Sequence, residues 1–367
     1  MTPRAQNYLR APLCGTPGLV SARSQFELIL IRSWERRGLL AWMLLPISLV
    51  FGALTAIRRG LYKIGLLQST RLSVPVIVVG NVMVGGTGKT PLTIWLVDAL
   101  QTAGYVPGVV SRGYRGQGHS ALLVSTDSRT EDVGDEPLLI ARRTQVPVVV
   151  GRQRALAATT LLAAQPEVNV IVSDDGLQHY ALQRDIEIVL SDARGAGNGW
   201  LMPAGPLRES SLRRRDFTVI NAAQVPSGMR HDAFRMVLSG AYAERLSDQS
   251  QRVALKSLLP SHTLRSVENK IVAAAGIGNP SRFFSMLRDV GIVFDEMPLQ
   301  DHYDFNVNPF IDLVCDVILI TEKDAVKCMQ IDALKNDPRL WVVPVTAQID
   351  PALAEQILEK LRGKPTA

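Results

Sequence analysis

The stretch VPVIVVGNVMVGGTGKTP, Val74 to Pro91, decides how the rest of the chain is read. Its first seven residues are almost continuously apolar and β-branched, as a strand buried on both faces requires. A glycine-rich turn follows directly. Gly85, Gly86 and Gly88 permit a tight turn that aims backbone N–H groups at an anion, Lys89 adds a positive charge, and the Thr90 hydroxyl is placed to ligate Mg²⁺. The helix expected from Pro91 to Gly104 presents its positive end to the same anion. Residues Gly85, Gly86, Thr87, Gly88, Lys89 and Thr90 are therefore the expected phosphate cradle, with ATP and Mg²⁺ as its ligands. Met83 stands where the general phosphate-loop pattern has its first glycine. The strand–loop–helix setting supports the reading despite that departure.

Working outward, more apolar runs alternate with helical stretches. They are GVVS (Gly108–Ser111), VPVVVG (Val146–Gly151), VNVIVS (Val168–Ser173), IEIVLSD (Ile186–Asp192) and FTVIN (Phe217–Asn221). Such runs belong to a mainly parallel sheet covered on both faces, whose ligands sit beyond the carboxyl ends of the strands. Near 229–252 the alternation lapses into a polar stretch with one candidate strand, FRMVLSG. It resumes with KIVAAAG, VILITEKD and LWVVPV and ends in a helix from Pro351 to Arg362. The predicted fold class is α/β, with two α/β/α domains and a P-loop NTPase-like first domain, preceded by a hydrophobic membrane helix. The predicted divisions are a disordered extension at 1–25, an anchor region at 26–73, the P-loop domain at 74–228, a linker at 229–256 and a second α/β domain at 257–367.

The anchor rests on GLLAWMLLPISLVFGALTAI, Gly38 to Ile57, twenty residues without a charge. That is about the length a helix needs to cross a bilayer's hydrocarbon core. Arg36, Arg37, Arg58, Arg59 and Lys63 flank it, cations suited to lipid headgroups. Positive charge on both sides leaves open whether the helix spans the bilayer or lies in its interface. The formal net charge is +6, but residues 1–73 hold ten Lys and Arg against two Glu, and the remainder holds thirty against thirty-two Asp and Glu. Because the basicity is local to residues 1–73, no nucleic-acid partner is expected. Three scattered cysteines make neither a disulfide framework nor a zinc cluster.

Other candidates are weaker when taken singly. Asp174 and Asp175 end the strand VNVIVSDDG, where carboxylates facing a phosphate loop hold a nucleotide's metal. Asp-Gly is also an ordinary turn signal. In GDEP, Asp135 or Glu136 reads first as the cap of the helix that Pro137 begins. His302, in DHYDF, reads as a loop histidine. SRGYRG (Ser111–Gly116), together with Arg208 and the Arg213–Arg215 run, either receives a phosphate or faces solvent.

Taken in order, VGNVMVGGTGKTP, SRGYRG, GDEP, SDDGLQHY, MPAGPLRE, AAAGIGNPSRFF, DHYDF and ITEKDAVK resemble the tetraacyldisaccharide 4'-kinase family, from roughly Phe26 to the carboxyl end. The loop's Met83 is no departure from that family's pattern. The resemblance implies transfer of the γ-phosphate of ATP to the 4'-hydroxyl of an acylated glucosamine disaccharide 1-phosphate, giving lipid IVA. It implies an enzyme at the cytoplasmic face of the bacterial inner membrane, whose partners are the lipid substrate and the bilayer, with no obligate protein partner. It also implies that Asp135 is the catalytic aspartate and His302 its partner, with Lys89 in the catalytic set and Thr90, Asp174 and Asp175 at the metal; this overrides the capping reading of Asp135. The alternative is a membrane-attached nucleotide switch, many of which carry a lysine just before the paired glycines. Here that position is Val84. A dinucleotide site on the AGIGNP turn (Ala275–Pro280) is weaker still, since no full fingerprint follows.

Overall fold

The computed structural model describes residues 30, 32–113, 121–224, 232–258 and 270–363. The extension expected at 1–25 and the end of SRGYRG lie outside them.

A long helix, α1 (Leu39–Lys63), precedes the strands. The chain then lays down β1 (Val76–Asn81), α2 (Lys89–Thr102), β2 (Pro107–Ser111), the short edge strand β3 (Leu122–Val124), α3 (Asp135–Thr144), β4 (Val148–Val150), α4 (Arg154–Ala164), β5 (Val170–Asp174), β6 (Ile186–Asp192), β7 (Phe217–Asn221) and β8 (Phe234–Ser239). In this sheet β1 is central, paired in parallel with β5 and β6, and only β3 runs antiparallel to its neighbour β4 among these strands. The strand period of two divides β1 cleanly. Ile77 and Val79 pack with Leu92, Leu96 and Leu138 of α2 and α3 on one face, while Val76 and Val78 pack with Ala157, Ala158 and Leu161 of α4 on the other.

An antiparallel hairpin, β9 (Tyr242–Arg245) and β10 (Asp248–Ala254), opens a second sheet. It continues with β11 (Ile271–Ala275), α5 (Pro280–Val290), β12 (Asp295–Pro298), β13 (Val317–Thr321), α6 (Glu322–Cys328) and β14 (Leu340–Val343). Here β11 pairs in parallel with both β12 and β13. Phe283, Phe284 and Leu287 of α5 cover one face, and Ala325 and Cys328 of α6 cover the other.

The chain then crosses back. β15 (Thr346–Ile349) pairs antiparallel with β8 at the edge of the first sheet, and α7 (Ala352–Arg362) buries Leu353, Ile357 and Leu361 in the first core. This differs from the division read from sequence, which gave 229–256 to a linker and all of 257–367 to the second domain. β8 extends the first sheet in parallel with β7, and β15 covers the edge that β8 would otherwise leave open. Apolar alternation marks strands but not the sheet each one joins.

α1 is long and apolar enough to cross a bilayer, with a mean hydropathy of 2.1 over its best window and most of that window exposed. Its inner edge is fastened to the first domain along its whole length. Trp34 Nε1 donates to the Pro203 carbonyl, and Arg37 Nε to that of Asn198. The Trp42 ring meets Trp200 edge-on, with centroids 4.8 Å apart. The buried Ser48 hydroxyl donates to the Leu201 carbonyl and accepts from the Ala204 N–H, each at 2.9 Å. Gly52 lies against Leu201, and Tyr62 lies near Tyr180.

Candidate active site

The glycine loop bridges β1 and α2 at the carboxyl edge of the first sheet. Gly85 (φ +102°) and Gly88 (φ +97°) occupy the left-handed region that disfavours a side chain. A Cβ on Gly88 would also strike Asn221 Nδ2 at 2.5 Å. Asn81 Nδ2 braces the loop by donating to the Gly85 carbonyl and Thr87 Oγ1, and Asn221 Nδ2 donates to the Thr87 carbonyl. Lys89 folds over the loop, 3.5 Å from Asn81 Oδ1 and 3.8 Å from Asp175 Oδ1.

The loop opens into a cleft of about 780 Å³ between the two sheets. Gly86 to Pro91 line it from the first domain, as does Glu136, while the second domain contributes Gly278, Arg282 and Lys323. A second cavity of about 360 Å³ lies between α1 and the first sheet. Phe51 and Gly52 form part of its apolar side, and Arg58, Arg59, Arg112 and Arg208 bring four cations to it. Asp175 lines this second cavity while pairing with Lys89 of the glycine loop, so the two spaces meet at that ion pair.

Asp174 and Asp175 are neighbours in opposite settings. Asp174 is fully buried and accepts from the Thr93 and Ser111 hydroxyls. Burial, then the nearby carboxylates of Glu136 and Asp175, push its carboxyl up to about 6. Asp175 takes a left-handed backbone (φ +48°) that turns it outward to Lys89 and Arg208. Burial works against its charge, but Lys89 and Arg208 outweigh that and hold its pKa below the usual carboxylate value. Among the described residues no three His, Cys, Asp or Glu side chains converge to hold a metal by themselves. The oxygen donors Thr90 and Asp175 suit a hard divalent cation that takes its remaining ligands from a nucleotide's phosphates.

Asp135 and His302 are 167 residues apart, yet Asp135 Oδ2 lies 2.9 Å from His302 Nδ1. Gly134 (φ +89°) turns the chain so that Asp135 begins α3, where its Oδ1 accepts from the Glu136 N–H at 3.0 Å. That first-turn bond uses one carboxylate oxygen, and the other makes the contact between the domains. Lys327 Nζ lies 3.1 Å and Lys323 Nζ 3.9 Å from the same carboxylate oxygen, and Lys323 Nζ lies 3.4 Å from His302 Nε2. Burial opposes the charge on Asp135. The His302 hydrogen bond and then the two lysines overcome it and hold the carboxyl far below its ordinary value.

Of the ambiguous arginines, Arg208 faces the site, 3.3 Å from Asp175 Oδ2. Arg213 is buried between Glu187 and Glu209, and Arg215 bonds Thr218 and the Ser211 carbonyl, so both are structural. Sequence reasoning gave no role to Lys323, Lys327 or Arg282. All three lie inside the motifs AAAGIGNPSRFF and ITEKDAVK, and the placement of the ITEKDAVK lysines just past a strand's carboxyl end was the available signal.

The family profile described as tetraacyldisaccharide-1-P 4'-kinase matches residues 40–362. The chain is similar to a tetraacyldisaccharide 4'-kinase of Janthinobacterium sp. (strain Marseille), 61% identical over 94% of this chain and 99% of the relative. It is similar to that of Herminiimonas arsenicoxydans, 58% identical over 95% of this chain and 99% of the relative. Among solved structures it resembles the crystal structure described as the "apo" form of LpxK from Aquifex aeolicus in complex with ATP. That likeness has a TM-score of 0.70 and 28% identity, and covers 88% of this chain and all of that one.

Proposed function

The chain belongs to the tetraacyldisaccharide 4'-kinase family, and from that premise we propose how its residues divide the work of an ATP-dependent lipid kinase. The enzyme transfers the γ-phosphate of ATP to the 4'-hydroxyl of the tetraacylated glucosamine disaccharide 1-phosphate, forming lipid IVA in lipid A biosynthesis, with Mg²⁺ as the usual partner of the nucleotide.

Phosphoryl transfer depends on alignment and charge neutralisation more than on covalent chemistry. Gly85 to Thr90 bind the phosphates in the interdomain cleft. Lys89 offsets charge on the terminal phosphates. Thr90 and Asp175 are the protein ligands of Mg²⁺, which when bound neutralises phosphate charge, while Asp174 supports the site from behind through Thr93 and Ser111. The sugar end of the acceptor enters the arginine-lined cavity beside α1, and Asp175 stands where acceptor and nucleotide meet.

The acceptor hydroxyl must lose a proton. A carboxylate held so acidic by His302 and two lysines is a weak base, which favours a relay through His302 over direct removal by Asp135. Asp135 accepts from His302 Nδ1–H and fixes the tautomer whose Nε2, 3.4 Å from Lys323 Nζ, takes the proton, and the carboxylate stabilises the imidazolium that results. The observation that carries this assignment is the 2.9 Å pairing of these two residues across the domain boundary, next to Glu136 and Lys323, which line the cleft of the glycine loop.

At the membrane, α1 lies in the bilayer interface. A helix fastened to a water-soluble domain from Trp34 to Tyr62 has no free length with which to span. Its exposed face, with Leu39, Met43, Ile47, Val50 and Leu54, is immersed among the acyl chains at the cytoplasmic leaflet of the inner membrane. A four-chain lipid cannot leave the bilayer at useful rates, because each buried CH₂ contributes about 0.8 kcal/mol. The enzyme therefore meets its substrate in place.

The deciding experiment incubates the detergent-solubilised protein with γ-labelled ATP and Mg²⁺, with and without the acylated disaccharide. Label should move to the lipid, and Lys89→Ala should abolish the transfer. ATP hydrolysis indifferent to the lipid would favour a nucleotide switch instead.

A further inference from the structure

The second domain rests on the glycine loop through one turn, Gly276 to Asn279, which leads into α5. A Cβ on Gly278 would lie 3.0 Å from the Gly86 nitrogen, so here the two backbones touch. From the first turn of α5, Arg282 reaches over the loop. Its Nη1 donates to the Thr87 carbonyl at 3.3 Å and its Nη2 to Asp192 Oδ2 at 3.2 Å. Asp192, fully buried at the end of β6, is already engaged by Arg194. Arg194 binds it through Nε at 3.1 Å to both oxygens and through Nη2 at 2.8 Å. Two guanidinium groups, one from each domain, thus share one carboxylate beside Gly85 to Thr87.

Their bonds are unequal. A charge-assisted N–H···O bond is normally about 2.7–2.9 Å long. Arg194 reaches that range and Arg282 does not, so Arg282 is the more easily released. Besides these two arginines, Lys89 and Lys323 line the same cleft, which leaves Arg282 in a space suited to polyanions.

Resting on the kinase reading above, we propose that Arg282 is a phosphate contact supplied to the bound nucleotide by the second domain. In this structure its guanidinium rests on Asp192 and the Thr87 carbonyl, both beside the loop that would hold the phosphates. The same turn carries the histidine of the site. The Gly276 carbonyl accepts from the His302 N–H at 3.1 Å, and the Gly276 N–H donates to Asp324 Oδ2 at 3.0 Å. The turn that leads to Arg282 is thus the same one that holds the His302 backbone.

The test uses the full chain in detergent, a fluorescent non-hydrolysable ATP analogue with Mg²⁺, and adenosine as a displacing ligand without phosphates. Arg282→Ala should weaken the analogue about tenfold or more, since a hydrogen bond to a charged group is lost, and leave adenosine affinity within about twofold. Arg282→Lys should recover part of the analogue's affinity. Turnover of Arg282→Ala should stay low at saturating ATP. Unchanged analogue binding in Arg282→Ala, or an equal loss for adenosine, would overturn the proposal. Lys89→Ala is the reference: if it loses the analogue while Arg282→Ala does not, only Arg282 is misassigned, whereas a wild type that binds no analogue removes the nucleotide reading itself.

Discussion

Two adjacent aspartates show how far one peptide unit can separate chemistries. Asp174 continues β5 inward to two hydroxyls, and Asp175 turns outward through a left-handed backbone to Lys89 and Arg208. Only Asp175 is free to exchange a cation partner for a metal. Asp175→Asn should therefore raise the Mg²⁺ concentration needed for half-maximal turnover by about tenfold or more, since loss of even a residue behind a metal's direct ligands costs about 10–100-fold in affinity. Asp174→Asn should leave that concentration nearly unchanged; a Mg²⁺ titration of both variants decides. Asp135 carries a second expectation. Its folded-state pKa lies below the unfolded value near 3.8, so its ionised form stabilises the fold above that pH, and the contribution fades as pH falls through the lower folded value. Asp135→Asn should cost about 2 kcal/mol at neutral pH, with the deficit shrinking below about pH 4 in urea unfolding series. Lys89 and Asp175 were legible in the sequence because a local motif carries them. The lysines around Asp135 were not, because Lys323 and Lys327 meet it only after the chain has closed a loop of nearly two hundred residues.

At the scale of elements, legibility followed burial. β1, β5 and β7 are buried throughout and read as apolar runs, whereas the hairpin strand β10 is polar and mostly exposed and left no such trace. α1 was legible as an apolar helix, but its orientation depended on a partner surface formed by residues 198–204, far away in sequence. Ser48 and Gly52, the two residues that break its apolar run on the docked side, mark that surface in hindsight. Single cysteines placed at Gly38 and Ile64 should both react from the same side of sealed vesicles with a membrane-impermeant thiol reagent. Reaction from opposite sides would mean a spanning helix. Gly52→Val would drive its side chain into Leu201, which already stands 2.8 Å from the Cβ position. That variant should lift α1 from the cavity wall and raise the KM for the acylated disaccharide, with the KM for ATP little changed.

The whole molecule is closed by its own ends. β15 pairs with β8, and α7 packs on the first core, so the chain leaves the first domain once, builds the second sheet, and returns. The domains are also tied beside the cleft. Arg143 of α3 pairs with Glu322 of α6, whose other carboxylate oxygen accepts from the Val345 N–H at 3.0 Å, just before β15. Lys323 bonds Glu136 at 3.0 Å. These contacts place the returning strand and helix α3, which begins with Asp135, on one support. One consequence separates this arrangement from two independent domains in series. Removing residues 346–367 should unfold the first domain, because it strips Ala347, Leu353, Ile357 and Leu361 from a core that also holds α2 and exposes the edge of β8. Each such buried side chain contributes about 1.5–3 kcal/mol, except the smaller alanine, and the combined loss is comparable to the whole stability of an ordinary domain. Serial domains would instead leave the truncated first domain folded and able to bind nucleotide. Far-ultraviolet circular dichroism and binding of the ATP analogue by the truncated protein distinguish the two. Retained nucleotide affinity after the truncation would show that the returning strand is an ornament of the fold rather than part of the domain that holds ATP.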